Sequence, residues 1–229
     1  MTNEARLCYC RENFGKAPGV SSLVTPRDLS YVAGMNGYMD MVRSPELMSA
    51  DDTALLVVDV QDKLICHIPN QRIIVWNIRR LLDGGGALGV ATAATEQYPQ
   101  GLGPTTAELA ERLGEIPAKL TFSCSACQDT FNRFAQAGIV KLLVVGIEAH
   151  VCVQQTVLDV LAAGFRAYVA VDAVGSRFPL DCEVALRRME SAGATLTTTE
   201  SALFEWCAIA GTPEFKKISQ LVRETPPAG

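Results

Sequence analysis

Two stretches of the chain are apolar almost without interruption, Thr53–Val60 (TALLVVDV) and Lys141–Ile147 (KLLVVGI). A strand with one wet face alternates apolar and polar residues, whereas an unbroken short run fits a strand covered on both faces, as in the middle of a parallel sheet. The segments around them repeat one theme. Residues 72–83 (RIIVWNIRRLLD) have helical periodicity, and Gly84-Gly85-Gly86 is expected to end that helix. Val90–Thr95 reads as a strand, Thr105–Leu113 as a helix, Lys119–Phe122 as lying near a weaker third strand, and Asp129–Ala137 as a helix stopped by Gly138. After KLLVVGI come a helix over Ala149–Ala163 with Gly164 as its stop, a strand over Tyr168–Asp172, a helix over Leu180–Ser191, a strand over Leu196–Thr199, and closing helices over Ser201–Ala210 and Glu214–Arg223. Strand followed by helix, again and again, calls for parallel strands joined by right-handed crossovers. The expected fold is therefore a three-layer α/β/α domain.

Composition narrows the function classes. A chain of 229 residues, 48% hydrophobic and 20% charged, suits one large domain with a buried core. Its net charge of -5 offers no electrostatic footprint for nucleic acid or an anionic membrane. No stretch approaches the roughly 18 apolar residues of a transmembrane helix, and the start, MTNEARLCYC, lacks the apolar core of a signal peptide. The expected location is the cytoplasm, and the eight cysteines are expected to be reduced thiols. Residues 1–43 have no sustained period and are expected to form an N-terminal extension, mobile or the product of an over-called start codon, ahead of a domain spanning 44–229.

Residues 84–89 (GGGALG) match a dinucleotide-binding fingerprint in letters only. That loop must follow a strand and open a helix, so that free N–H groups meet the pyrophosphate. Here a helix precedes the glycines and a strand follows them, the reverse order.

Sites in open α/β sheets form at the carboxyl ends of the strands, where the strand order reverses. Three reactive residues fall at such ends. Asp59 sits in an otherwise apolar run, where a carboxylate is costly unless paired or functional; the plain alternative is a loop-tying Asp. Cys152 falls in the first turn after KLLVVGI, where the helix dipole favours a thiolate. Val153, Val157, Val160 and Leu161 form the apolar stripe of that helix, and Cys152, Thr156 and Asp159 lie on another face, so Cys152 need not enter the core; its alternative is a small buried hydrophobe. Lys119 opens KLTFS and would otherwise read as a solvated lysine. A lysine beside a cysteine lowers the thiol pKa, and an aspartate can take its proton. Cys124 and Cys127 form a C-x-x-C, but Cys8 and Cys10 are a poor partner pair for zinc and no histidine lies nearby. The chain has two histidines, His67 and His150, and His150 and Cys152, two apart on a helix, would point in different directions.

The runs VVDVQ, ATEQYPQGLGPT, KLTFS, VVGIEAHVCVQQTVLDVLAAGF and VDAVGSR together resemble the isochorismatase-like cysteine hydrolases, and most closely the isochorismatase domain-containing subgroup, over roughly residues 44–225. The resemblance implies a six-stranded parallel sheet of order 3-2-1-4-5-6 and a catalytic triad of Asp59, Lys119 and Cys152. It also implies a cis peptide between Ile147 and Glu148, with the Glu148 and Cys152 backbone N–H groups forming an oxyanion hole. In that strand order Asp59 and Cys152 face each other, and Lys119 starts two strand spacings away, roughly 10 Å, a gap a lysine side chain can largely close. The metal-binding nicotinamidase branch carries an Asp-x-His after its second strand; this chain has TEQYP there and no histidine between residues 68 and 149. No catalytic metal and no cofactor are therefore expected, and nicotinamide becomes a poor substrate candidate. Isochorismatases proper lack the nucleophilic cysteine, so Cys152 argues against isochorismate. The implied activity is thioester-forming hydrolysis of a small amide-like molecule by a homo-oligomer, with Gln61, Thr95, Tyr98 and Phe122 lining the pocket. The alternatives are a non-catalytic member of the fold and a redox-sensing thiol.

Overall fold

The structure, a computed structural model, describes residues 42–227. The expected extension over 1–43 thus lies, save its last two residues, outside the described part. Six parallel strands form one sheet in the order β3-β2-β1-β4-β5-β6: β1 (Thr53–Val58), β2 (Ala91–Gln97), β3 (Ala118–Lys119), β4 (Lys141–Ile147), β5 (Arg166–Gly175) and β6 (Thr195–Thr197). Around them run α1 (Asp62–Ile65), α2 (Gln71–Leu88), α3 (Pro99–Leu102), α4 (Ala107–Ala110), α5 (Gln128–Gln136), α6 (Gln154–Ala162), α7 (Pro179–Ser191), α8 (Thr199–Cys207) and α9 (Pro213–Val222).

The unbroken hydrophobicity of β1 and β4 follows from this layering. Leu55, Val57, Leu143 and Val145 join one core with Ile78 and Leu81 of α2, Leu203 of α8 and Ile218 of α9. The alternate residues Ala54, Leu56, Val58, Leu142 and Val144 join a second core with Phe134 of α5, Val157 of α6 and Met189 of α7. Every side chain of β1 is essentially inaccessible, and burial of each Leu or Val there contributes roughly 1.5–3 kcal/mol before entropy is counted. The strand order reverses between β1 and β4, which sets their carboxyl ends side by side.

The glycine triplet does not end α2. The helix runs through it and stops at Gly89, whose φ of 77° is left-handed. The reason lies in packing: a Cβ on Gly84 would sit 2.3 Å from Leu203 Cδ2, so the missing side chain lets α8 approach. The expected helix over Thr105–Leu113 shrinks to the single turn α4. Thr105 is pinned instead to β2, its N–H and hydroxyl both donating to Glu96 Oε1 at 2.6 and 2.9 Å. Strand β5 extends past Asp172 to Gly175, across a register shift opposite Val144 and Gly146. Gly146 has φ 116°, and a Cβ there would lie 2.1 Å from the Val58 carbonyl oxygen, so only glycine lets β4 pass β1 at this height.

Candidate active site

Chain geometry at the end of β1 turns Asp59 out of the strand. Its φ is 52°, a conformation aspartate tolerates better than most residues, and its N–H donates to Thr95 O at 3.1 Å. The carboxylate is fully buried and held from two sides. Thr95 Oγ1 donates to Oδ1 at 2.8 Å, and Lys119 Nζ donates to Oδ2 at 2.7 Å. Lys119 thus spans β3 to β1 across the end of β2, with no exposed side-chain surface. It also donates to Phe122 O at 2.8 Å, Gln97 Oε1 at 3.0 Å and Thr121 O at 3.2 Å, so the loop after β3 wraps its ammonium.

Cys152 faces this pair from the end of β4. The expected helix over Ala149–Ala163 begins as a wide turn: Val153 N–H donates to the carbonyl of Glu148, five residues back, and regular α6 starts only at Gln154. That widening carries Cys152 inward. The apolar stripe left Cys152 free to stay out of the core; it is in fact only 5% exposed, and Thr156 is fully buried. The segment at residues 123–127 covers that face. Cys124 N–H donates to Thr156 Oγ1 at 3.0 Å, Thr156 Oγ1 donates to Cys152 O at 2.7 Å, and Ser125 Oγ donates to Asp159 at 2.9 Å.

Electrostatics reverse one expectation. A helix start and a nearby lysine were expected to depress the Cys152 thiol. Burial and then the Asp59 charge push it well above its ordinary value instead, although Lys119 pulls the other way. Burial also raises the Asp59 carboxyl above the usual range, against the attraction of Lys119 and its hydrogen bonds, one of them from the Cys152 thiol. Burial and charge thus favour the neutral thiol of Cys152 and a more basic Asp59 carboxyl, whose Oδ2 accepts from Lys119 Nζ. Such a site can move one proton from sulfur to oxygen as the sulfur attacks.

The other expected residues fall into two groups. Gln61 and Thr95 are buried. The Gln61 carboxamide is committed to the backbone, with Nε2 donating to Gln97 O at 3.1 Å and Gly103 O at 2.6 Å, and Oε1 accepting from Gln97 N–H at 2.8 Å. Thr95 is committed to Asp59, with Cys124 Sγ 3.3 Å from its hydroxyl. Tyr98 and Phe122, by contrast, are half exposed beside Lys119; Tyr98 N–H donates to Lys119 O at 2.9 Å. The peptide between Ile147 and Glu148 is cis. The Glu148 carboxylate points to the loop after β5, accepting from Arg177 N–H at 3.0 Å and Arg177 Nε at 3.1 Å. His150 Nδ1 pairs with Ser176 Oγ at 3.0 Å rather than with Cys152. Among the described residues no group of three or more His, Cys, Asp or Glu side chains is placed to hold a metal ion.

Gln97, Cys124 and Thr156 belong to the site, although none of them was expected there. For Gln97 a signal was available: along a strand, residues 95 and 97 share a face, so Thr95 at the site implied Gln97 as well. Cys124 was weighed only as a zinc ligand with Cys127.

The Isochorismatase domain profile matches residues 53–201, which take in Asp59, Lys119 and Cys152. The chain belongs to the isochorismatase family. Among its family relatives, the bovine (Bos taurus) isochorismatase domain-containing protein 2 is 39% identical over 174 residues, covering 76% of this chain and 84% of that protein. Of the solved structures, the MAR1 ribonuclease from Caenorhabditis elegans superposes with a TM-score of 0.73 at 37% identity, covering 80% of this chain and 95% of that one. The YcaC gene product of Escherichia coli, an octameric hydrolase of unknown specificity, superposes at 0.68 with 24% identity, covering 73% of this chain and 85% of that one, a likeness of fold alone. The six-stranded parallel sheet of order 3-2-1-4-5-6 is therefore an isochorismatase-family sheet.

Proposed function

We propose that this isochorismatase-family protein is a metal-independent cysteine hydrolase that cleaves the C–N bond of a small amide-like substrate through a thioester. The observation that carries the reading is the buried Lys119–Asp59 pair, 2.7 Å apart, set against the Cys152 thiol. Burying two charges costs several kcal/mol each, and a fold gains little from this at the rim of its sheet unless the pair works.

Cys152 sulfur attacks the carbonyl carbon as its proton passes to Asp59. The oxyanion takes hydrogen bonds from the backbone N–H groups of Glu148 and Cys152. The C–N bond then breaks, Asp59 returns the proton to the leaving nitrogen, and a thioester remains. Water adds to the thioester with Asp59 as base, the C–S bond breaks, and the proton returns to sulfur. Lys119 holds the carboxylate in place. Tyr98 and Phe122, the exposed rings beside the site, contact the substrate; Gln61 and Thr95 support the site from behind.

The name of the nematode neighbour raises ribonuclease activity as a rival. A net charge of -5 and a thiol that is 5% exposed suit a small neutral or weakly charged substrate better than a polyanion. A homo-oligomer and a cytoplasmic address complete the proposal. The test is a hydrolysis screen of small amides, carbamates and ureas, with an RNA oligonucleotide included and Cys152→Ala run alongside. Release of an amine or ammonia that Cys152→Ala abolishes supports the reading. Cleavage of RNA alone, or turnover that survives Cys152→Ala, sinks it.

A further inference from the structure

Lys119 has three N–H donors and four oxygen neighbours: Asp59 Oδ2, Phe122 O, Gln97 Oε1 and Thr121 O, at 2.7, 2.8, 3.0 and 3.2 Å. Two of these are main-chain carbonyls of one short loop. Gln97 is the neutral side chain in the set, and nothing about its orientation is left to chance. Its Nε2 donates to Leu120 O at 2.8 Å, which turns Oε1 toward the ammonium. Its own backbone is clamped on both edges by the Gln61 carboxamide, through Gln61 Oε1 to Gln97 N–H at 2.8 Å and Gln61 Nε2 to Gln97 O at 3.1 Å. Both glutamines are buried. The result is a bracket from the end of β1 through the end of β2 to the loop after β3, closing on Lys119 Nζ.

Charge matters as much as position. A carboxylate at residue 97 would satisfy the same ammonium, yet it would divide the field of Lys119 between two anions and set a like charge beside Asp59. An amide holds the ammonium while leaving its whole charge to the Asp59–Cys152 pair.

We propose that Gln97 is a positioning residue of the thiol site: its carboxamide oxygen, braced by Gln61, aims Lys119 at Asp59 and must be uncharged to do so. The proposal rests on the hydrolase reading above. It explains why the strand that lies between the acid and the lysine carries a side chain of this length and polarity two residues beyond Thr95. It also gives Gln61 a task different from pocket lining.

The test measures the rate of Cys152 carbamidomethylation, peptide by peptide, from about pH 5 to about pH 9, a window in which a buried carboxyl titrates. Wild type, Gln97→Glu, Gln97→Leu and Asp59→Asn are compared. At the acid end Gln97→Glu is protonated; its O–H serves Leu120 O as the amide did, and it matches wild type, which also shows that it is folded. As the pH rises its carboxyl ionises and claims Lys119, and its rate falls below wild type by roughly tenfold or more, the scale of a charge-assisted hydrogen bond redirected. Gln97→Leu, lacking the acceptor, is slower than wild type at every pH. A Gln97→Glu to wild-type ratio that stays constant across the range overturns the inference, because a charge appearing at residue 97 would then leave the hold of Lys119 on the Asp59–Cys152 pair unaltered. A different result fails the underlying reading and this inference with it: wild-type Cys152 labelled no faster than its Asp59→Asn variant.

Discussion

Replacing Lys119 by methionine leaves Asp59 buried without its counter-charge, and the cost can be worked from the site. The side chains of both residues have no exposed surface, and the pair is 2.7 Å apart. Removing one partner of such a pair costs about 3–5 kcal/mol, because the remaining charge has neither water nor partner. For a domain of this size each kcal/mol is worth about 2–4 °C in Tm, so the variant should melt roughly 6–20 °C below wild type near neutral pH. The loss should also depend on pH, with a definite sign. Burial already raises the Asp59 carboxyl, and Lys119 is the largest opposing influence, so Lys119→Met raises it further. An acid whose folded pKa is raised binds its proton more tightly when folded. Stability is then retained at low pH and is lost as pH climbs from the unfolded value, about 3.9, toward the folded one. The deficit of Lys119→Met relative to wild type should therefore be small while Asp59 is protonated in both proteins, and grow by up to about 1.4 kcal/mol per pH unit above the wild-type Asp59 pKa until Asp59 of the variant ionises. Urea titrations of both proteins at about pH 5 and about pH 8 measure it, with the slope m checked for constancy. An equal deficit at the two pH values, or one under about 1 kcal/mol at the higher, would refute the claim that Lys119 neutralises a buried Asp59 charge.

Other substitutions probe separate parts of the account. Gly86 has nothing within 4 Å of a built Cβ and lies inside α2, so Gly86→Ala should stabilise by about 0.5–1 kcal/mol, while Gly84→Ala, which meets Leu203, should destabilise; equal effects in thermal melts would contradict a helix continuing through the triplet. Thr156→Val removes the hydroxyl joining Cys124 N–H to Cys152 O and leaves a buried donor unpaired, a loss of about 1–3 kcal/mol together with slower Cys152 alkylation; unchanged alkylation would show that this link does not place the thiol.

Most of the sheet was legible because burial on both faces writes itself into sequence. Strands β1 and β4 are apolar at every position but their edges, and the turn-breaking Gly138 and Gly164 have left-handed φ values of 78° and 91° where a stop was expected. The misreadings have physical causes of their own. The Gly84 triplet has the composition of a terminator, but it serves a helix–helix contact that no local window contains. Thr105–Leu113 has helical spacing, yet its first residue is captured by Glu96 from another element. At the site, Asp59, Cys152 and Lys119 were all legible as reactive residues at or near strand ends, Lys119 gaining weight from its two companions. The inward turn of Cys152 was hidden, because one widened turn re-aims everything after it and leaves no mark in the apolar stripe of α6. The electrostatic expectation failed for the same reason: a thiol at an exposed helix start gains from the dipole, whereas one sealed beneath residues 123–127 loses more to desolvation.

The central claim is that Cys152 carries the acyl group and Asp59 takes its proton. A single turnover with an activated acetyl ester, quenched in acid and mapped by mass spectrometry, tests it directly. The account predicts an acetyl group on Cys152, although it is 5% exposed and Cys66 lies open to solvent, with the adduct lost in Asp59→Asn. Acetyl on Cys66 or on surface lysines while Cys152 stays bare, or equal labelling of Cys152 in Asp59→Asn, would contradict it.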